Sequence, residues 1–461
     1  MTDLADLSAH ELLDAYRAGR LSPVEVLDAV LARIAAWEPR LNALYAFDPE
    51  AARLAARESE TRWGSGDPRA LEGVPVTIKE NIATRGVPIP LGTAARDLIP
   101  AGDDAPPAAR LREAGAVIFA KTTMPDYGML SSGLSSFHPL TRNPWNLALN
   151  PGGSSAGAGA ATAAGYGPLH VGTDIGGSVR LPASWCGIVG LKPSLGRIPI
   201  DPPYYGRVAG PMTRNVRDAA LMMRELARPD WRDTMSLPPH DIAWLDLARD
   251  VRGLRLGLWL DAGIGMEVSP AVKQTIETAA STFARAGAQI VPVPPFLTRE
   301  MLDGLDDFWR QRAWADIGGL STARRARILP YILHWAEGGQ GLSGERVYRG
   351  MSQMMAMREA AVRACQPFDF VLSPVAPVVT YPAEFAAPLN DPARPFEHIG
   401  FTVAFNMSEQ PAISVNAGFT ASGLPIGLQI IGRRFDDLGV LQLARTWEEL
   451  RGPQKPWPTA S

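Results

Sequence analysis

Cysteine is almost missing from this chain: Cys186 and Cys365 are the only two in 461 residues. Two thiols so far apart supply neither a disulfide framework nor a clustered metal site. Histidine is scarce as well. His10, His138, His170, His240, His334 and His398 form no HExxH or His-x-His pair, so a metal enzyme is not expected. Positive charge is not in excess. The formal net charge is -3, and no segment is basic enough to hold a nucleic-acid backbone. A long-range field acting on substrate is weak for the same reason. No apolar run is long enough to span a bilayer. The stretch Met1 to Leu13 lacks the basic and apolar regions of a secretory leader, so the cytoplasm is the default expectation. Apolar residues, by contrast, are plentiful. They make up 46% of the chain, ample for a large packed core.

Along the chain, helical and strand signals alternate. Ser8 with Glu11 reads as a capping box, and Ser22, Pro23 and Glu25 repeat it with proline at the first helical position. Val24, Leu27, Val30, Leu31 and Ile34 then recur at helical spacing, which predicts an amphipathic helix to about Trp37. Leu71 to Lys79 is a strand-like run ending on a lysine, and Ala116 to Ala120 reads as a buried strand after a stop at Gly115. Strands are also expected at 253–259, 289–293, 370–372, 412–415 and 425–431, with helices at 269–286 and 437–450. The stretch 297–365 is largely helical and carries Phe308, Trp309, Trp314, Tyr331, His334 and Trp335. The pattern predicts an α/β protein with a mixed sheet covered by helices on both faces.

Three segments carry chemistry. Lys79 closes the apolar run Val74 to Ile78, and burial there would lower its pKa and make it a base. Taken alone, such a lysine more often snorkels from a strand end. Pro151-Gly-Gly-Ser-Ser-Ala-Gly157 pairs glycines with serines and implies unusual backbone torsions. It lacks the ending of a P-loop, which leaves a plain Gly/Ser loop as its bland reading. Gly172-Thr-Asp-Ile-Gly-Gly-Ser-Val-Arg-Leu-Pro182 places a serine after two glycines. Successive N–H groups pointing one way would form an oxyanion hole, while a Gly-rich turn is the alternative. Small residues mixed with Val171, Ile175, Val179, Ile188 and Val189 make 150–193 a tightly packed segment, not a linker.

In this order, the three segments resemble the amidase signature family. The resemblance extends through Lys121-Thr-Thr-Met-Pro-Asp126, Thr141-Arg-Asn-Pro-Trp145, Cys186 to Pro193, Gln410 to Val415 and Gly423 to Gly432. It implies one amidase domain over 1–461, with the signature core at 71–215 and the 297–365 helices flanking the substrate pocket. It implies that Lys79 is the base, Ser178 the nucleophile, and Ser154 a proton shuttle preceded by a cis peptide. Backbone N–H groups of Ile175, Gly176, Gly177 and Ser178 would form the oxyanion hole, with Ser155, Asp174 and Arg180 in support. Ala156 departs from the family's usual glycine, which bears on local backbone geometry. Cys186 lies in a stretch that is normally structural.

The implied reaction cleaves an amide-type bond of a small molecule with no metal and no cofactor. Gly128, Met129, Leu130, Trp309 and Trp314 are candidates for lining an apolar, uncharged pocket, and packing of the aromatic side chains into the helical core is the competing reading. Aliphatic amides, aryl amides and carbamates (urethanes) all remain open as substrates. Two other readings stand beside this one: the A subunit of a tRNA-dependent amidotransferase, and a non-catalytic binding protein on the same fold. No nucleic-acid or membrane partner is expected, and association as a homodimer is left open.

Overall fold

The computed structural model describes residues 3–460. Its strands are β1 (Leu44–Tyr45), β2 (Pro75–Lys79), β3 (Val117–Thr122), β4 (Leu169–Asp174), β5 (Val189–Lys192), β6 (Val208–Thr213), β7 (Arg255–Leu258), β8 (Gln289–Pro292), β9 (Phe370–Pro374), β10 (Ala412–Phe419) and β11 (Pro425–Ile431). They hydrogen-bond into one mixed sheet in the order β1-β3-β2-β4-β6-β5-β10-β11-β9-β7-β8.

Side-chain alternation divides the apolar residues between the two faces of this sheet. On β9, Phe370 and Leu372 join one core cluster while Val371 joins the other. On β11, Leu428 and Ile430 face the first cluster and Ile431 the second. Helices Val216–Leu226, Pro270–Arg285 and Asp437–Leu450 contribute Met223, Phe283 and Trp447 to the first. Helices Arg299–Ile317, Pro330–Glu337 and Gly344–Cys365 contribute Trp309, Trp335 and Met357 to the second. The α/β expectation, with a mixed sheet and helices on both faces, therefore holds.

Local signals in the sequence explain how several elements begin. Both capping boxes form: Ser8 and Glu11 cap Ala9–Arg17, and Ser22 and Glu25 cap Pro23–Leu41, each satisfying backbone N–H groups at a helix start. The strand signal before Lys79 becomes the fully buried β2. Within the small-residue segment, Ala156–Ala164 is a buried helix followed by β4. Ala156 opens that helix, where an alanine is at ease.

Strand direction then positions the site. β2 pairs with β4 in parallel, with Ile78 opposite Val171. Lys79 and the Thr173–Asp174 end of β4 therefore emerge at the same edge of the sheet. The carboxyl ends of neighbouring parallel strands are where open α/β sheets hold ligands.

Candidate active site

Lys79 is fully buried, and its Nζ donates to Ser154 Oγ at 2.8 Å and to Thr173 Oγ1 at 3.0 Å. Burial lowers its pKa to about 7, although the nearby charges of Asp174 and Glu80 pull the other way. The Gly153–Ser154 peptide is cis. Ser155 ties the serine pair to the glycine loop: its N–H donates to Ser178 O at 3.1 Å, and its hydroxyl donates to Thr173 O at 3.1 Å. Ser154 and Ser178 are thereby held on adjoining segments. Ser154 is buried, whereas Ser178 is half-buried and faces a cavity.

Asp174 organises the loop that carries Ser178. Its carboxylate accepts from Gly177 N–H at 2.8 Å and Val179 N–H at 3.0 Å, and it pairs with Arg180 at 2.9 Å. Both side chains of the pair are fully buried. Burial opposes the Asp174 charge, but Arg180 and the surrounding donors hold its pKa well below the usual carboxylate range. Arg180 also donates to Thr402 O, Gln429 Oε1 and Asn406 Oδ1, at 2.9, 2.8 and 2.6 Å. Gly177 has φ +127°, and a Cβ there would lie 2.6 Å from Thr402 Oγ1, so this position requires glycine.

One sequence expectation is corrected here. Gly177 N–H is occupied by the Asp174 carboxylate and braces the loop, so it is not available to an oxyanion. Ile175, Gly176 and Ser178 make no such bond to Asp174.

A narrow slot of about 30 Å³ opens beside Ser178, lined by Gly128, Met129, Leu130, Trp309, Phe396 and Ile399. Its remaining lining includes Ser131 and Arg312. Asp126 fixes the 128–130 loop to the 297–365 stretch by accepting from Leu329 N–H at 3.1 Å, and it also accepts from Ser136 N–H at 2.7 Å. Trp309 meets Phe396 edge-on at 5.1 Å and belongs to both the slot and the core. Trp314 does not line the slot; it lies over Gly318 at the end of its own helix, where a Cβ would meet the indole at 2.7 Å. The expectation of an uncharged pocket also fails, because Arg312 stands in the slot wall.

Neither histidine nearest the motifs reaches the Lys79–Ser154 contact. His138 Nε2 lies 2.6 Å from Glu80 Oε2. His170 sits between Thr77 Oγ1 and Gly167 O, and burial lowers its pKa to about 3. Cys186 is buried with its thiol pKa pushed upward. Sequence reasoning missed His398, whose Nε2 lies 2.7 Å from Ser131 Oγ, and also missed Thr402, Asn406 and Gln429. No local pattern marks these partners. Among the described residues no group of three or more His, Cys, Asp or Glu gathers as a metal site would require, and no helix is long and apolar enough to cross a membrane.

The Amidase family model matches residues 25–441. The chain is 35% identical to the A subunit of the glutamyl-tRNA(Gln) amidotransferase from Geobacter metallireducens, covering 97% of this chain and 98% of that protein. It is 34% identical to an acylamidase of Rhodococcus erythropolis, covering 98% and 96%. In structure it is similar to a bacterial aryl acylamidase, with a TM-score of 0.87, 29% identity and 96% coverage of each chain. This chain belongs to the amidase signature family.

The ion pair at the loop base yields a direct test. Arg180→Leu would leave the Asp174 charge buried and unpaired, a loss of about 3–5 kcal/mol. Thermal denaturation should fall far more than for Arg17→Ala, which breaks an exposed pair worth about 1 kcal/mol or less. Equal melting of the two variants would remove the pair from its structural role.

Proposed function

We propose that this chain hydrolyses small amide-type C–N bonds through an acyl-enzyme on Ser178. The observation that carries this reading is the fully buried Lys79 amine 2.8 Å from Ser154 Oγ, with Ser155 linking Ser154 to the Ser178 loop. Neutral Lys79 accepts the Ser154 proton as Ser154 takes one from Ser178. The Ser178 oxygen attacks the carbonyl, and the N–H groups of Ile175, Gly176 and Ser178 receive the developing negative charge. The proton returns through Ser154 to the departing amine. Water, activated by the same relay, then cleaves the ester. Asp174 and Arg180 position the loop, and Gly177 N–H supports it.

The slot favours a small apolar group beside Ser178, with Met129 the flexible wall. Linear amides and carbamates both suit this arrangement. A second reading, that of an amidotransferase A subunit, is favoured by the 35% identity to the Geobacter protein of that name. A panel of primary amides, p-nitroanilides and aryl carbamates, assayed with the isolated chain, separates the two. Turnover of any of them supports the hydrolase, whereas none, under conditions where the protein is folded, supports the amidotransferase reading.

A shared relay makes the three residues act as one unit. Ser178→Ala should abolish turnover with the fold intact, and Ser154→Ala and Lys79→Ala should each lower kcat by several orders of magnitude, on the order of 10³ or more. The double variant should be little worse than either single one, and a multiplicative loss would contradict the relay.

The pH profile should show one acidic limb. Lys79 is protonated and inactive below its pKa of about 7 and neutral above it, so kcat/KM should rise through that pH and then level. Lys121 and Lys192 are likewise lowered to about 7 by burial, but they donate to Thr84 Oγ1 and Pro193 O, away from Ser154. His170 titrates too low to give the limb. A limb that survives in the residual activity of Lys79→Ala would assign the base elsewhere.

A further inference from the structure

Beyond the slot lies a larger chamber of about 450 Å³. Met129 and Arg312 line both, so the two spaces adjoin. Asn81 also lines the chamber, and its amide donates to Thr173 Oγ1 at 3.1 Å, the same hydroxyl that Lys79 touches. The chamber therefore reaches the wall of the Lys79 site.

Its charge is unusual for this protein. Most arginines here meet a carboxylate, as Arg310 does with Asp306 and Arg358 with Glu409. Arg207 and Arg312 line the chamber, are half-buried, and form no ion pair among the described residues. The guanidinium of Arg312 lies over the Tyr204 ring at 4.0 Å, and Arg207 donates to Pro202 O. Both contacts hold a guanidinium in place without neutralising it. Asp201 and Asp316 also line the chamber, but both are exposed and neither forms an ion pair with Arg207 or Arg312. Burial, followed by the nearby charge of Arg312, lowers the Arg207 pKa to about 10, and the charges of Asp233 and Asp201 only partly oppose this. Two like charges held together in a half-buried wall repel each other, and an anion between them relieves that repulsion.

We infer that the chamber is a substrate subsite for a carboxylate, held by Arg207 and Arg312, on the part of the amide that projects away from the apolar slot. The inference rests on the reading of Ser178 as the reacting centre and extends it to the substrate class: an amide with a small apolar group at one end and an acid at the other. Arg312 fits this role because it reaches both spaces. Arg96, exposed at the chamber mouth, adds positive charge along the approach.

The test uses two matched pairs. One places the acid on the amine side, 4-acetamidobutyrate against N-butylacetamide. The other places it on the acyl side, N-ethylglutaramate against N-ethylpentanamide. Binding is measured by calorimetry on full-length Ser178→Ala, where turnover does not intervene. The acid of at least one pair should bind at least roughly tenfold more tightly than its neutral match, about 1.4 kcal/mol. Arg312→Met and Arg207→Met should each erase most of that preference, and Arg312→Lys should keep part of it. If Arg207→Met fails to fold, the two Arg312 variants decide. Neutral members binding as well as the acids in both pairs would overturn the proposal, as would a preference that survives Arg312→Met. The hydrolase reading fails separately. Acid-selective binding with no turnover of any pair by the unmodified chain leaves this subsite standing and removes the reaction. Turnover without acid preference does the reverse.

Discussion

The buried pair between Asp174 and Arg180 determines where the Ser178 loop can sit. Without it, the loop would have to hold two glycines and a half-exposed serine against a helix of only seven residues, Arg180–Cys186. With it, one carboxylate collects Gly177 and Val179 N–H groups, while the guanidinium reaches Thr402, Asn406 and Gln429. Two charges removed from water are tolerated because nearly every donor and acceptor around them is used. The C-terminal third of the chain is thereby joined to the loop, since Gln429 lies on β11 and Asn406 on the helix Gly400–Met407.

A second constraint is the burial of Lys79. β2 carries it to the sheet edge with all five of its residues buried, and parallel pairing with β4 places Thr173 alongside. An amine in that position loses hydration in its charged form, and this loss outweighs the attraction of Asp174 and Glu80. The same desolvation acts on Lys121 and Lys192, so a lowered pKa alone does not distinguish Lys79. Its contact with Ser154 does. Geometry, with the pKa as its consequence, separates a reacting lysine from a structural one.

How much of this is legible in the sequence depends on the range of each interaction. Capping boxes at Ser8 and Ser22 act over three residues and are readable directly. The alternation of Phe370, Val371 and Leu372 follows from the pleat, and Lys79 is visible as the polar end of an apolar run. The grouping of Lys79, Ser154 and Ser178 comes from family resemblance, because no local pattern brings positions 79 and 178 together. Gly177 reads as an oxyanion donor because sequence order cannot reveal that Asp174, three residues earlier, turns back to take its N–H. Trp314 reads as pocket lining because it shares a helix with Trp309, yet the two are five residues apart and point to different neighbours. Arg207 and Arg312 are invisible for a related reason. They approach the site from segments remote from the 126–130 loop, and only the fold places them at its wall.

Whether Ser178 carries the covalent intermediate can be read by mass spectrometry after treating the protein with a fluorophosphonate, a reagent that labels activated serines. A single adduct is expected on the peptide containing Ser178, lost in Ser178→Ala and strongly slowed in Lys79→Ala. An adduct on Ser154 or Ser155, or no adduct on a folded protein that still cleaves amides, would contradict the assignment to Ser178.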